Sequence, residues 1–236
     1  MPYTDIHNHF VYGVDDGGKS EEGMRRMLRA LHEDGITRVI ATSHITPGQR
    51  EFPMAAYRAH LEEARAFVRD GELDMTLDAG NEILYTDATV RYLREGKALT
   101  LAGSDHALIE FLPDERFERL AEAAHKVRNA GYMPVFAHIE RYACLASLRR
   151  VASLKAEYGV RMQVNCSAFV RRQGFRRRRW LGGLVRQGLL DFVATDAHDL
   201  PGREPRMRAC YETLKREFGE TTADDLTGGG QERVLY

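Results

Sequence analysis

Seven short apolar runs alternate along this chain with longer segments whose apolar residues recur at helical spacing. No other feature limits the possible folds as strongly. Parallel strands cannot be joined by a tight turn; they need a crossover, usually a helix, and such crossovers are right-handed. The runs are TDIHNHFV, TRVIATSH, DMTLDAGNEI, HALIEFL, MPVFAHIE, RMQVNC and DFVATDAH. Among the segments between them, SEEGMRRMLRALHEDG opens on Ser20 with Glu21 and Glu22, and DERFERLAEAAHKVRNAG opens on Asp114 with Glu115. Each closes on a glycine, Gly35 or Gly131. The alternation predicts an α/β fold, a closed or nearly closed β/α barrel of about seven units, with a doubly wound open sheet as the alternative.

A chain of 236 residues with 43% hydrophobic content can bury one substantial core. No linker, repeat or low-complexity tract divides it, so residues 1–236 are expected to form a single domain. A net charge of -1 gives no global attraction to nucleic acid or to a membrane surface. The three cysteines are widely spaced and suggest no disulfide framework; a reducing cytosol is the simpler setting. No signal peptide and no apolar run long enough to span a bilayer is visible, so the expected location is cytoplasmic, without membrane insertion. Oligomeric state is not legible.

The chemistry gathers at the carboxyl ends of the strands. The first run ends in His7 and His9, which alternation places on one face with Asp5 beside them, and GVDDGG follows with Asp15 and Asp16. Later runs end in His44, in Glu82, in Glu110, in His138 with Glu140 and Arg141, and in Asp196 with His198. The sixth offers Asn165, Cys166 and Ser167 instead. In a β/α barrel these ends meet on one face, where active sites lie. A single strand-end histidine is more often structural, but six of the seven runs deliver a histidine or carboxylate to the same end. Imidazole with carboxylate suits zinc, manganese or iron, and the donors outnumber the needs of one ion, so a metal cluster is expected. The other histidines, His32, His60, His106 and His125, read as surface or packing residues.

RRQGFRRRRW, residues 171–180, fits either a site for an acidic partner or a solvated face in an arginine-rich chain, and the solvated face is favoured. The spacing C-x5-R of cysteine-dependent tyrosine phosphatases occurs at Cys144/Arg150, Cys166/Arg172 and Cys210/Arg216. That chemistry needs a backbone nest at a helix N-terminus, usually with glycine, and none of the three segments supplies one.

The combination of DIHNHFVYGVDDGGKSEEG, IATSHITPG, GNEILY, LIEF, HIERY, QVNCSAF and ATDAH resembles the PHP (polymerase and histidinol phosphatase) superfamily. More closely, it resembles the bacterial tyrosine-phosphatase branch found with capsule and exopolysaccharide loci. The likeness runs from residue 3 to about residue 215. It implies a distorted (β/α)7 barrel of PHP type, carrying a cluster of three divalent ions, Mn, Fe or Zn. The ligands it implies are His7, His9, Asp16, His44, Glu82, Glu110, His138, Asp196 and His198, with Asp15 an alternative to Asp16. It implies that Arg141 and Arg203 hold phosphate and that Asp196 could share proton transfer. The expected activity is hydrolysis of phosphotyrosine on a protein partner, with the tail of a bacterial tyrosine kinase as the expected substrate. Histidinol phosphate or nucleotide hydrolysis is one alternative; a non-catalytic phosphotyrosine-binding module is another. Three cations against the four carboxylates of this set would leave a net positive site, suited to a phosphate dianion. The chain departs from the pattern at Asn8, at Leu112–Pro113 after LIEF, in the basic tract and in the closing GGGQERVLY.

Overall fold

The computed structural model describes residues 2–229 and 231; most of the closing VLY-ending segment therefore lies outside the described residues. The chain runs β1 (Tyr3–Asn8), α1 (Glu21–Glu33), β2 (Ile36–Ala41), β3 (His44–Ile45), α2 (Met54–Asp70), β4 (Thr76–Ala79), β5 (Glu82–Leu84) and α3 (Thr89–Arg94). It continues with β6 (His106–Glu110), α4 (Phe117–Asn129), β7 (Met133–Phe136), α5 (Leu148–Tyr158), β8 (Arg161–Asn165) and α6 (Cys166–Val170). Last come α7 (Phe175–Arg186), β9 (Phe192–Ala194), α8 (Met207–Phe218) and α9 (Glu220–Thr227).

All strand pairings are parallel. One sheet has the order β1-β2-β4 and the other β3-β5-β6-β7-β8-β9. Each of the seven predicted runs contains a strand, but the second and third are each split in two. The cause is a change of partner at Thr42 and Gly80–Asn81. Thr42 donates its N–H to Asn8 and accepts from Glu82, while the Asn81 amide donates to the Ser43 carbonyl. Gly80 lies so close to Ile40 that a Cβ there would stand 3.0 Å from its Cγ2. The parallel sheet curls. The first strand meets the segment that follows β9 through a bridge between Asn8 and Ala197 and the bonds Asp196 N–H to His7 O and His9 N–H to Ala197 O, both 2.9 Å.

Helix α1 forms as its pattern predicts. Met24, Met27, Leu28 and Leu31 make one buried stripe, and the Ser20 hydroxyl accepts from the Gly23 N–H at 3.2 Å. Gly35 then reverses the chain at φ +91, a left-handed conformation that a side chain would strain. Helix α4 starts later than expected. Asp114 and Glu115 sit in a turn, Glu115 N–H bonding to Leu112 O, and Arg116 is an N-cap without a side-chain bond.

Period-2 alternation divides the core. Val39, Ala41, Ala107, Ile109, Phe136 and Val193 pack in the large cluster that contains the buried faces of the helices. Their strand neighbours Ile6, Ile40, Leu108, Val135, Phe192 and Ala194 form a smaller cluster of their own. Followed toward the carboxyl ends, this second face runs from Leu108 to Glu110 and from Phe192 through Ala194 to Asp196. The small apolar cluster is thus the floor of whatever the strand ends assemble.

Candidate metal centre

Glu82 lies at the middle of the strand ends. It is fully buried. Its Oε2 is 2.9 Å from His7 Nε2, 3.2 Å from His9 Nε2 and 3.2 Å from His44 Nδ1, and its Oε1 is 2.7 Å from His138 Nε2. Around it three groups of donor atoms converge, and the residues in them overlap: His7, His9, Glu82 and Asp196; His9, Asp16, His44 and His198; and His44, Glu82 and Glu110. His138 adjoins the third, its Nε2 3.4 Å from Glu110 Oε1. All nine residues expected from the motifs stand in this one assembly.

The donor set fits cations. The Nε2 atoms of His7 and His9 face each other at 3.1 Å. Glu82 Oε2, Asp196 Oδ1 and His198 Nε2 are buried without a hydrogen-bond partner, although buried polar atoms are nearly always satisfied. Electrostatics agree. Burial opposes charge on His9, yet Asp15 and Glu82 outweigh it and push its pKa up to about 10. Burial likewise opposes charge on His138, but Glu110 and Glu82 raise its pKa to about 10. Burial acts to raise the Glu82 carboxyl, and His7 and His138 overcome it, holding the group well below its usual range. The carboxylates thus create a strongly negative potential within the imidazole cage. His198 is the exception: burial and the charge of His9 lower its pKa to about 2, keeping it a neutral donor.

The two aspartates of GVDDGG divide their work. Asp16 is exposed, with Oδ1 3.5 Å from His44 Nε2 and 3.4 Å from His198 Nε2. Asp15 is turned inward; its Oδ2 accepts from His9 Nδ1 at 2.9 Å and from the His44 N–H at 3.0 Å. That contact puts the His9 proton on Nδ1 and frees Nε2 as a donor. Asp5 does not join the histidines. Thr195 and Asn8 hold its carboxylate, because β1 slips register between Asp5 and Asn8. His138 and Asp196 both adopt positive φ, 31 and 51, in turns that the surrounding structure must hold.

Asp196 also gathers the two arginines. Its Oδ2 accepts from Arg141 Nη2, from Arg203 Nη2 at 2.9 Å and from Asn165 Nδ2 at 2.7 Å, leaving Oδ1 toward the histidines. Burial would raise this carboxyl's pKa, but His7 and Arg141 hold it below the usual range. A cavity of about 530 Å³ lined in part by Asp16, Lys19, His44, Arg50 and Phe52 opens beside the centre. Glu140 turns away to accept from the Asn165 N–H. The cysteines take no part: Cys166 and Cys210 are buried, burial pushes the Cys166 thiol well up, and Arg150 bonds the Cys144 carbonyl.

Gln163 escaped the motif reading. Its Oε1 accepts from the His138 N–H at 2.6 Å and lies 3.3 Å from His7 Nδ1, and its amide donates to Asn165 Oδ1 at 2.8 Å. A carbonyl oxygen only accepts, so this contact puts the His7 proton on Nδ1 and leaves Nε2 for a cation. The available signal was its place two residues before Asn165, on the same strand face. Replacing Gln163 by leucine should weaken metal binding about 10- to 100-fold with the fold retained, as for other residues that orient ligands. Titration of the metal-free protein against a competing chelator reads this directly.

Parallel strands that carry imidazoles and carboxylates to a single end define the class: an α/β protein with a candidate metal centre at the carboxyl ends of its strands. The chain belongs to the capsular polysaccharide synthesis CpsB/CapC family, whose model it matches over residues 3–236. It is 29% identical over 237 residues to tyrosine-protein phosphatase CpsB of Streptococcus pneumoniae, covering 98% of this chain and 97% of that one. It is 28% identical over 224 residues to tyrosine-protein phosphatase YwqE of Bacillus subtilis, covering 94% and 88%. A solved structure from work on YwqE and CpsB, described there as metal-dependent tyrosine phosphatases, superposes with a TM-score of 0.85 at 26% identity, covering 94% of this chain and 90% of that one. These findings agree with the PHP-type motifs. An organophosphorus hydrolase of Deinococcus radiodurans, at 13% identity and a TM-score of 0.62, shares the fold.

Proposed function

We propose that this protein is a metal-dependent phosphomonoester hydrolase that acts on a phosphotyrosine-bearing protein of capsule or exopolysaccharide synthesis, the tail of a tyrosine kinase being the expected substrate. The observation that carries the reading is the convergence of three donor groups and two arginines around Glu82 and Asp196. The nine motif residues are its ligands, for three ions of Mn, Fe or Zn. Residues 1–236 act as one PHP-type domain, the two curled sheets reading together as a distorted (β/α)7 barrel. The expected setting is the cytoplasm; among the described residues no helix is long and apolar enough to cross a membrane.

Divalent cations held by such a set supply Lewis acidity and lower the pKa of water. The chain's own residues do the rest. Arg141 and Arg203 are each about two-fifths exposed, so each keeps part of its guanidinium accessible. Fixed there by Asp196, they bind phosphate oxygens as planar, charge-assisted donors and oppose the charge that builds on the equatorial oxygens. Asp15 and Gln163 hold two of the imidazoles in one tautomer each. A tyrosyl leaving group, with a pKa near 10, departs with little protonation. Any proton role for Asp196 is restricted to Oδ1, since Oδ2 accepts three donors.

The test is turnover of an aryl phosphate, a phosphotyrosine peptide, histidinol phosphate and short oligonucleotides, before and after chelation. Chelation should abolish hydrolysis of the first two, and added metal should restore it, while thiol alkylation leaves it intact. Activity that survives chelation, or a preference for histidinol phosphate or oligonucleotides, would overturn the reading. Arg141→Ala should lower aryl phosphate turnover about 10²- to 10³-fold, the usual loss for one charge-stabilising donor, with metal content unchanged.

A further inference from the structure

The basic tract has a place in the structure that the catalytic centre does not use. Helix α7 begins at Phe175 and has no acidic residue in its first turn, where the helix dipole favours acids; Arg176, Arg177 and Arg178 stand there instead. Among the described residues, Arg178 pairs with Glu217, but Arg176 and Arg177 have no carboxylate partner. Arg177 stacks over Trp180, with its guanidinium carbon 5.5 Å from the ring centroid, and Trp180 donates Nε1–H to Leu145 O. Arg176, Arg177 and Trp180 line a groove of about 630 Å³ together with Pro113, Ile139 and Arg141. Asp114 and the buried Glu140 are its two carboxylates. Arg141 therefore belongs to both the groove and the phosphate end of the centre. The two large hydrophobics left most exposed among the described residues, Leu112 at 57% and Phe175 at 79%, are chain neighbours of the groove residues Pro113 and Arg176.

We propose that this groove is a specificity site for the substrate polypeptide, binding an acidic segment next to the phosphotyrosine, with an apolar side chain of that segment laid against Trp180. Charge complementarity selects this occupant. Unpaired guanidiniums flank an apolar floor, and the floor leads through Arg141 to the place where phosphate binds. Exposed apolar side chains next in the chain to its lining residues extend the apolar surface of the groove. Because Arg141 lines the groove and also pairs with Asp196, the residues next to the phosphotyrosine are the ones that enter it. The inference rests on the phosphatase reading given above.

The experiment compares two phosphotyrosine peptides, one with three aspartates or glutamates on each side of the phosphotyrosine and one with the corresponding amides. It uses the metal-loaded wild type and the double variant Arg176→Ala, Arg177→Ala. Loss of two exposed ion pairs should raise KM for the acidic peptide about tenfold. Hydrolysis of the amide peptide and of a small aryl phosphate should stay within twofold. The advantage of the acidic peptide should vanish in ~0.5 M salt, where exposed charges are screened. Trp180 is the single tryptophan of the chain, so its emission reports the groove alone. It should respond to a non-hydrolysable acidic phosphonate peptide, and not to the amide version. Equal KM changes for both peptides, or an unchanged KM with unresponsive emission, would overturn the proposal. Should the wild type hydrolyse no phosphotyrosine, the phosphatase reading fails. The emission titration then decides the groove by itself.

Discussion

Replacing Glu82 with glutamine is expected to abolish turnover, by about 10³-fold or more, and to remove most of the bound metal. The change is nearly isosteric, so the effect is chemical. Both carboxylate oxygens lie among imidazole nitrogens, four histidines within 3.2 Å, and Glu82 belongs to two of the three donor groups. Glutamine keeps one acceptor and turns an N–H₂ donor toward the nitrogens whose lone pairs a cation needs. It also removes the charge that sets the potential of the cage: the pKa of His9 and of His138 is raised partly by Glu82. Metal content measured after gel filtration, together with single-substrate kinetics, checks both parts. A variant that keeps its metal and works within tenfold of wild type would show that Glu82 is only a packing residue. A comparison with Gln163→Leu is informative, because that residue orients ligands without being one. Its loss should therefore be recovered at high metal concentration, while the loss at Glu82 should not.

The sequence carried the donor residues of this assembly and their order because a parallel sheet places each strand's carboxyl end at one rim, so reading the last polar residue of each apolar run finds them. His44, Glu82, Glu110 and His138 were legible in this way. What alternation could not carry were features made by irregular backbone. Asp5 and His7 are two residues apart and would share a face on a regular strand, but the register slip in β1 sends Asp5 to Thr195 and His7 to the cage. The change of partner at Thr42 and Asn81, which splits two predicted strands, depends on contacts with Asn8, Ser43 and Leu99 that lie far away in sequence. Gln163 was missed for a chemical reason: an amide in a buried strand is no metal ligand, and its value lies in two contacts made across the sheet. The late start of α4 has the same origin. Asp114 and Glu115 satisfy the local pattern for a helix start, yet the chain there turns to form one wall of the groove.

Phe192→Ala should cost about 3–5 kcal/mol, a large share of the roughly 5–15 kcal/mol that holds a domain folded. Phe192 is fully buried and is the largest side chain of the small apolar cluster, packed with Ile6, Ile40, Leu108 and Val135 from strands distant in sequence. These strands are held at their edges by parallel neighbours and backed by helices on the other face, so the walls cannot collapse into the space an alanine leaves, and the upper part of that range is expected. For a chain of this size each kcal/mol moves the Tm by about 2–4 °C, so a fall of about 10 °C or more should appear in calorimetry. Metal stabilises the folded state by mass action, so both proteins must be compared at one metal concentration and again after chelation. The position adds a second consequence. Ala194 and Asp196 continue the same strand face, and Asp196 stands at the edge of the cage in a left-handed turn with φ 51. A cavity beneath it loosens the hold on its carboxylate, and metal affinity should drop along with stability. The identical change at the exposed Phe175 removes the same atoms from a side chain that packs against little, and should alter stability by no more than about 0.5 kcal/mol. If the two variants unfold at the same temperature, the small cluster is not the floor that supports the centre.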